Sequence, residues 1–223
     1  MNVASDYLRK EVYIMKKFSA FTLSEILVTL AIVGVVSVLT LPNVTASYQK
    51  KVQVASLQRT YNMITTAVAN YMNDNRLDDL GYSNLTNLGG VEDFIENYLD
   101  PTLICSSDRD DISNCVENTY NSFDRSSTFS WLDNDDFVCA NLSMGATICF
   151  SAYDGIANVY IDTNGRKKPN TAGRDFFGNI PLWHDGKLMG SRADYFGDCP
   201  PEGESYATAC FGKIQQDGWE MNY

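Results

Sequence analysis

Histidine is nearly missing from this chain: His184 is the only one in 223 residues, and no Cys-x-x-Cys occurs. Structural zinc, which draws on such ligands at such spacings, is thereby excluded. No Gly-x-Ser-x-Gly nucleophile elbow and no phosphate-binding glycine loop appears, so the commonest hydrolase and nucleotide sites have no starting point. His184 is followed directly by Asp185, but adjacent side chains rarely align for a proton relay, and an Asp-Gly turn accounts for both. The expectation is a protein that is not an enzyme. Basic residues are scarce as well, 17 Lys and Arg against 28 Asp and Glu, for a net charge of −11. Phosphate contacts need Lys and Arg, so no nucleic-acid partner is expected. There is no internal repeat and no low-complexity tract.

One absence organises the rest. Between Glu25 and Lys50 the chain carries no charge, and from Ile26 to Leu41 it is almost wholly apolar, ending at Pro42. Phe21 to Leu41 is 21 residues, about 32 Å as an α-helix and enough to span a bilayer's hydrocarbon core. Lys16 and Lys17 precede a small residue, Ala20, and Phe21 follows it. Basic residues ahead of the apolar run place the N-terminus in the cytoplasm and everything after Leu41 outside, with Lys50 and Lys51 counting against that orientation. Glu25 is an acid within the span, a functional feature by default. Its natural partner is a positive charge at the same depth. Cleavage between Ala20 and Phe21 would create one, the α-amino group of Phe21.

Ala20, Phe21, Thr22, Leu23, Glu25 and Pro42 together resemble the class III leader of the type IV pilin and type II secretion pseudopilin superfamily. The resemblance implies a prepilin peptidase that cuts before Phe21 and methylates its amino group. It further implies polymerisation through the N-terminal helix, with Glu25 of an incoming subunit neutralising the amine of Phe21 on its neighbour. Residues 1–20 are then the leader, and Met15 to Ala20 alone would make a typical one. The true start is Met15, or residues 1–14 are a cytoplasmic extension. Removing the leader's four basic residues (Arg9, Lys10, Lys16, Lys17) and two acidic ones (Asp6, Glu11) leaves 13 basic and 26 acidic residues, a net charge of −13.

Beyond the apolar run the chain reads in order as residues 21–43, a membrane and assembly helix; 44–75, an amphipathic helix; and 76–223, a loop-rich globular domain. Pro42 removes an N–H and should kink the helix rather than end it. Val44, Tyr48, Val52, Ala55, Tyr61, Ile64, Val68 and Tyr71 recur at helical spacing and form the expected buried stripe. Ala31, Gly34, Ser37 and Thr40 form a row of small residues, ordinary for a membrane helix and also compatible with close helix approach. Asp78 to Asp136 reads as irregular, except for a short helix at Val91–Leu99 stopped by Asp100-Pro101. Strands are expected at 137–142, 147–153, 157–162 and 175–182, with turns at Gly145, Asp154-Gly155 and Asn164-Gly165. His184 to Lys187 reads as a turn leading to Leu188, and Ile214–Tyr223 as a last hairpin or edge strand. The fold class is α+β: a long kinked N-terminal helix packed on a C-terminal antiparallel sheet, pilin-like.

Six cysteines in an exported domain point to disulfides. Sequence order favours the local pairs Cys105–Cys115, Cys139–Cys149 and Cys199–Cys210, though other connectivities stay open. A three-residue turn at Ser143–Gly145 would set Cys139 opposite Cys149. No cofactor is required. Asp162, Asn164 and Asp175 could supply oxygens to calcium, which some pseudopilins bind in a C-terminal loop. The competing reading is an Asn-Gly type I′ turn with Asp162 bonded to local backbone. Asp162-Thr163-Asn164-Gly165, Pro169-Asn170, Gly173 to Phe176 and Asp217 to Met221 resemble the C-terminal half of bacterial pseudopilin-like type II secretion proteins. The expected function is a structural subunit of a type II secretion pseudopilus or type IV pilus-like filament. Its expected partners are other subunits, the prepilin peptidase, the inner-membrane assembly platform and the membrane, with the C-terminal domain periplasmic. The alternatives are a single-pass anchored periplasmic binding domain that never polymerises, which Glu25 and the Ala20-Phe21 junction count against, and a tethered exported enzyme.

Overall fold

The computed structural model describes residues 21–106, 112–130, 137–152, 155–190, 198–200 and 207–223, without the side chains of residues 42 and 43. The chain divides into two units, residues 1–46 and Ser47–Tyr223. The first contains the start of α1, Leu23–Asp74, which passes through residue 42 without a break. From Phe21 to Leu41 nearly every side chain is exposed. By length and composition α1 can cross a membrane, and none of its most apolar window is buried in the fold.

The second unit holds the core. After α1 come two 3₁₀ turns, Leu80–Tyr82 and Asn84–Thr86. Then follow α2 (Leu88–Tyr98), β1 (Pro101–Cys105), β2 (Tyr120–Asn121), β3 (Thr128–Phe129), β4 (Phe137–Leu142), β5 (Thr147–Ser151), β6 (Asn158–Asp162), β7 (Phe176–Pro181) and α3 (Thr208–Gln216). Strands β1, β4, β5, β6 and β7 form one sheet in that order, and every neighbouring pair is antiparallel. The β4–β5 turn closes with Leu142 N–H donating to the Ala146 carbonyl and Gly145 N–H to that of Leu142. That turn sets Cys139 directly opposite Cys149, the register its numbering implied.

Helices cover one face of the sheet. Phe150 of β5 meets Phe94 of α2 edge-on at 6.0 Å, and Phe94 meets Tyr71 of α1 at 5.5 Å. Phe177 of β7 meets Phe211 of α3 at 6.4 Å, and Phe211 lies 6.2 Å from Tyr61 of α1. The β2–β3 segment meets the opposite face, where Tyr120 stacks on Phe176 at 4.3 Å. Both faces are therefore buried. This is why β4 and β5 read as near-continuous apolar runs rather than strict alternation.

Four expectations need correction. The buried stripe of α1 is Val54, Leu57, Thr60, Ile64, Ala67, Val68 and Tyr71, whereas Val44, Tyr48, Val52 and Ala55 are exposed. Val52 and Val54, like Ala55 and Leu57, are both apolar, and periodicity alone cannot choose between two faces that are equally apolar. The 78–136 region is less irregular than it reads, since it contains β1 and the β2–β3 ladder. Helix α2 begins at Leu88, ahead of Val91. Asn87 caps it by accepting the Gly90 N–H at 2.9 Å, and Gly90 is required because a Cβ there would collide with the Asn84 carbonyl. The end of the chain is helix α3 followed by a turn, not a hairpin or edge strand. Cys210, Phe211 and Ile214 make its buried side. The other expected strands agree with β4 to β7 within a few residues, though Tyr153 and Asp154 lie outside the described residues.

Candidate functional site

At the start of α1 the chain builds a closed hydrogen-bond unit. Thr22 is the last non-helical residue, so its position is the N-cap and Glu25 lies three residues on. Glu25 Oε2 accepts the Thr22 N–H at 2.8 Å and the Thr22 hydroxyl at 2.9 Å. The Glu25 N–H donates to Thr22 Oγ1 at 3.3 Å, and the Ile26 N–H donates to the Thr22 carbonyl at 3.2 Å. This is a reciprocal capping box, with a carboxylate at the positive end of the helix dipole. It matters because the first four N–H groups of a helix have no intrahelical acceptor, and the box satisfies two of them, those of Thr22 and Glu25. Phe21 precedes it and is 79% exposed. Thr22, one of the residues that carry the resemblance, gains a capping role here, and Thr-x-x-Glu before an apolar run is a legible signal for it. Ala20, Lys16 and Lys17 lie outside the described residues. The row Ala31, Gly34, Thr40 is exposed and Ser37 is half-buried, and nothing lies within 4 Å of a Cβ built on Gly34.

The second constellation follows β6. Asp162 and Asp175 are 3% and 0% exposed. Asp162 Oδ2 accepts the Tyr120 hydroxyl at 2.7 Å and Oδ1 accepts the Asn164 N–H at 3.1 Å. Asp175 takes the N–H groups of Thr171 at 2.6 Å and Asn170 at 2.9 Å, and the Asn164 side chain donates to the Lys168 carbonyl at 3.3 Å. The three residues thus share one neighbourhood. Burial pushes both carboxyls above the ordinary aspartate range; the two acids also repel each other, while the hydrogen bonds pull the other way. Burial and the Asp162 charge likewise push the Tyr120 hydroxyl well up. Three buried oxygens beside these groups, Thr163 Oγ1, Asn164 Oδ1 and Asn170 Oδ1, have no hydrogen-bond partner. Gly165 has a φ of +64° and Asn164 is not in the positive region, so the turn is not type I′. Among the described residues no group of three His, Cys, Asp or Glu is placed to hold a metal.

His184 does find a carboxylate, but not Asp185. Its Nδ1 lies 2.6 Å from Asp79 Oδ1, tying the 3₁₀ turn at Leu80 to the 183–188 turn, where Leu80 N–H also donates to the His184 carbonyl. Asp185 instead pairs with Lys187. Both sites are exposed, and no hydroxyl or thiol is bonded to the remaining His184 nitrogen among the described residues.

Cysteines are joined as Cys105–Cys115, Cys139–Cys149 and Cys199–Cys210, with Cα separations of 6.2, 4.0 and 4.8 Å, and no cysteine is free. The first ties β1 to the segment leading into β2, and the last anchors α3. Non-reducing peptide mapping is expected to recover these three pairs. A thiol at Cys139 or Cys149 would contradict the β4–β5 register. Replacing both Cys105 and Cys115 by Ser is expected to cost about 3 kcal/mol on chain-entropy reasoning, read as a lowered urea midpoint.

Residues 15–41 match the model of the prokaryotic N-terminal methylation motif, the signature of the prepilin-type segment. The match covers the leader end, the cleavage junction, Glu25 and the apolar part of α1. Neither the curated proteins nor the solved structures yield a match to this chain. The match spans 27 of the 223 residues, and it marks this N-terminal segment as similar to the prepilin type.

Proposed function

We propose that this chain is a pseudopilin or minor pilin. It is stored in the inner membrane through residues 21–43 with Ser47–Tyr223 on the periplasmic side. Prepilin peptidase cuts it after Ala20 and methylates the new amine, and the subunit then polymerises through α1 into a pseudopilus or pilus-like filament. One observation carries the reading: Glu25 is the only charge on the apolar helix and sits one turn from Phe21, the residue that cleavage would make the N-terminus. A tethered domain that never assembles would need this side chain only for the cap, a role that uncharged glutamine also fills. The test is mass spectrometry of the mature protein, expected to begin at N-methylated Phe21. An uncut chain, or cleavage after the apolar run, would sink the proposal.

Calcium binding is a second reading, favoured by the orphaned oxygens. Hard cations take carboxylate, amide and hydroxyl oxygens, and Asp162, Asn164 and Asp175 would hold the ion, with Thr163 and Asn170 as the nearby unpartnered donors. Asn164 would have to turn its amide, since its nitrogen now faces the Lys168 carbonyl. Thermal unfolding of the detergent-solubilised full-length protein with millimolar calcium, against chelator, tests this. Binding raises stability by about 2.7 kcal/mol at a hundredfold excess over Kd. Equal midpoints would leave the three residues as an internal polar clamp.

A further inference from the structure

A groove of ≈ 820 Å³ runs beside the lower part of α1 in the globular unit, and its lining includes Tyr48, Val52, Arg59, Arg125, Lys167 and Lys168. Among the described residues no Asp or Glu lines it. The four cations are exposed, and none is ion-paired among the described residues. They are four of the 13 basic residues of 21–223, gathered at one place on a chain that is otherwise strongly acidic. Tyr48 and Val52 beside them are 67% and 48% exposed, so the groove combines apolar surface with unpaired positive charge. This combination fits an acidic protein surface with some apolar content better than bulk solvent.

Such a surface exists on the same molecule. At the far end of α1, Asp74 and Asp93 line a second concavity of ≈ 410 Å³ together with Tyr71 and Tyr98, and no Lys or Arg among the described residues lines it. Glu92 and Glu96 of α2 are exposed alongside. We propose that the basic groove of one copy docks on this acidic α2 end of a second copy. The inference rests on the filament reading, and it names the charged contact made by the globular units.

The geometry makes the contact directional. Arg59 and Asp74 are 15 residues apart on one helix, or about 22 Å along its axis. Copies anchored in one membrane point the same way, so a two-fold axis along α1 would bring groove to groove and acid to acid. A two-fold axis across α1 would turn one copy upside down. Groove meets acidic end only when one copy is shifted along the axis by about that distance. That is a head-to-tail contact, and such contacts propagate into open assemblies when the rotation does not close. Unshifted neighbours set like charge against like, so the same residues disfavour the wrong stagger.

The experiment places a photo-cross-linking amino acid at Gln49, which lines the groove and is neutral, in the full-length chain in cells that assemble the filament, where subunits are staggered. The expected product joins Gln49 to a peptide within residues 74–98 of a second copy. Arg59→Glu with Lys168→Glu is expected to lower its yield about tenfold, as like charges are juxtaposed across the contact. Co-expression with copies carrying Asp93→Lys and Glu96→Lys is expected to restore it, which also shows that the reversed chain is folded. Cross-links to another protein, to lipid or to nucleic acid would overturn the proposal, as would links to another part of the second copy or a yield indifferent to charge reversal. The N-terminus is read in the same cells. Failure of this contact with Phe21 still the methylated first residue leaves the filament reading intact.

Discussion

Glu25→Ala is expected to insert and to be cleaved after Ala20, yet to enter filaments at about a tenth of the wild-type level or less, because a charge left unpaired in apolar surroundings is strongly unfavourable. In the lone subunit the carboxylate is already held by the Thr22 N–H and hydroxyl. Those bonds satisfy the end of the helix and fix the position of the carboxylate, which the filament reading pairs with a neighbour's amine. Removing the side chain therefore removes two things, the cap and the charge. Glu25→Gln separates them, since glutamine can still accept from Thr22 at this position of a capping box but carries no charge. Both variants should fail if the charge pair sets the register. Assembly by Glu25→Gln at wild-type efficiency would mean that capping is the whole role of the residue. The measurement is the fraction of each variant in sheared filaments when co-expressed with wild type, alongside the mass of its N-terminus.

What could be read from the sequence follows from how local each signal is. The long helix and strands β4 to β6 come from uninterrupted patterns within a few residues, and the β4–β5 register follows from one turn length. The interior face of α1 could not be read. Its choice of Val54 and Leu57 over Val52 and Ala55 depends on where the sheet and α3 lie against it. Helix α3 was hidden by Gly212, a poor helix former. The structure puts that glycine against Gly190, where a Cβ on Gly190 would strike the Gly212 backbone. Asp162, Asn164 and Asp175 were picked out for their oxygens, but Tyr120, which binds Asp162, is 42 residues away and carries no local mark. The Asp79–His184 contact spans 105 residues and is equally illegible. The capping box is the opposite case. It is written in four consecutive residues, Thr22 to Glu25, and needs no distant partner.

The buried pair predicts an unusual pH response. An aspartate whose pKa is raised by folding favours the folded state in its protonated form. Its contribution is fully present below the unfolded value, 3.8, and is lost as pH rises toward the folded value. Asp162 and Asp175 both lie in this direction, with burial as the main cause. Asp79, Asp124 and Asp185, held low by hydrogen bonds, act the other way, but their loss of stability falls below the ordinary aspartate range. In chelator, the full-length protein should therefore be most stable in mild acid and weaken toward neutrality. Within the titration window the slope is about 1.4 kcal/mol per pH unit for each proton released on unfolding. Asp162→Asn keeps one oxygen to accept the Asn164 N–H and turns an amide N–H toward the Tyr120 oxygen, which can accept it, while removing the charge and its repulsion of Asp175. It should flatten the profile and raise stability at pH 7 relative to wild type. Urea midpoints from pH 4.5 to 8, wild type against Asp162→Asn, decide the matter. A wild-type profile that rises with pH, or an unchanged profile in the variant, would mean that the Asp162 carboxylate is stabilised as an anion by its hydrogen bonds despite its burial.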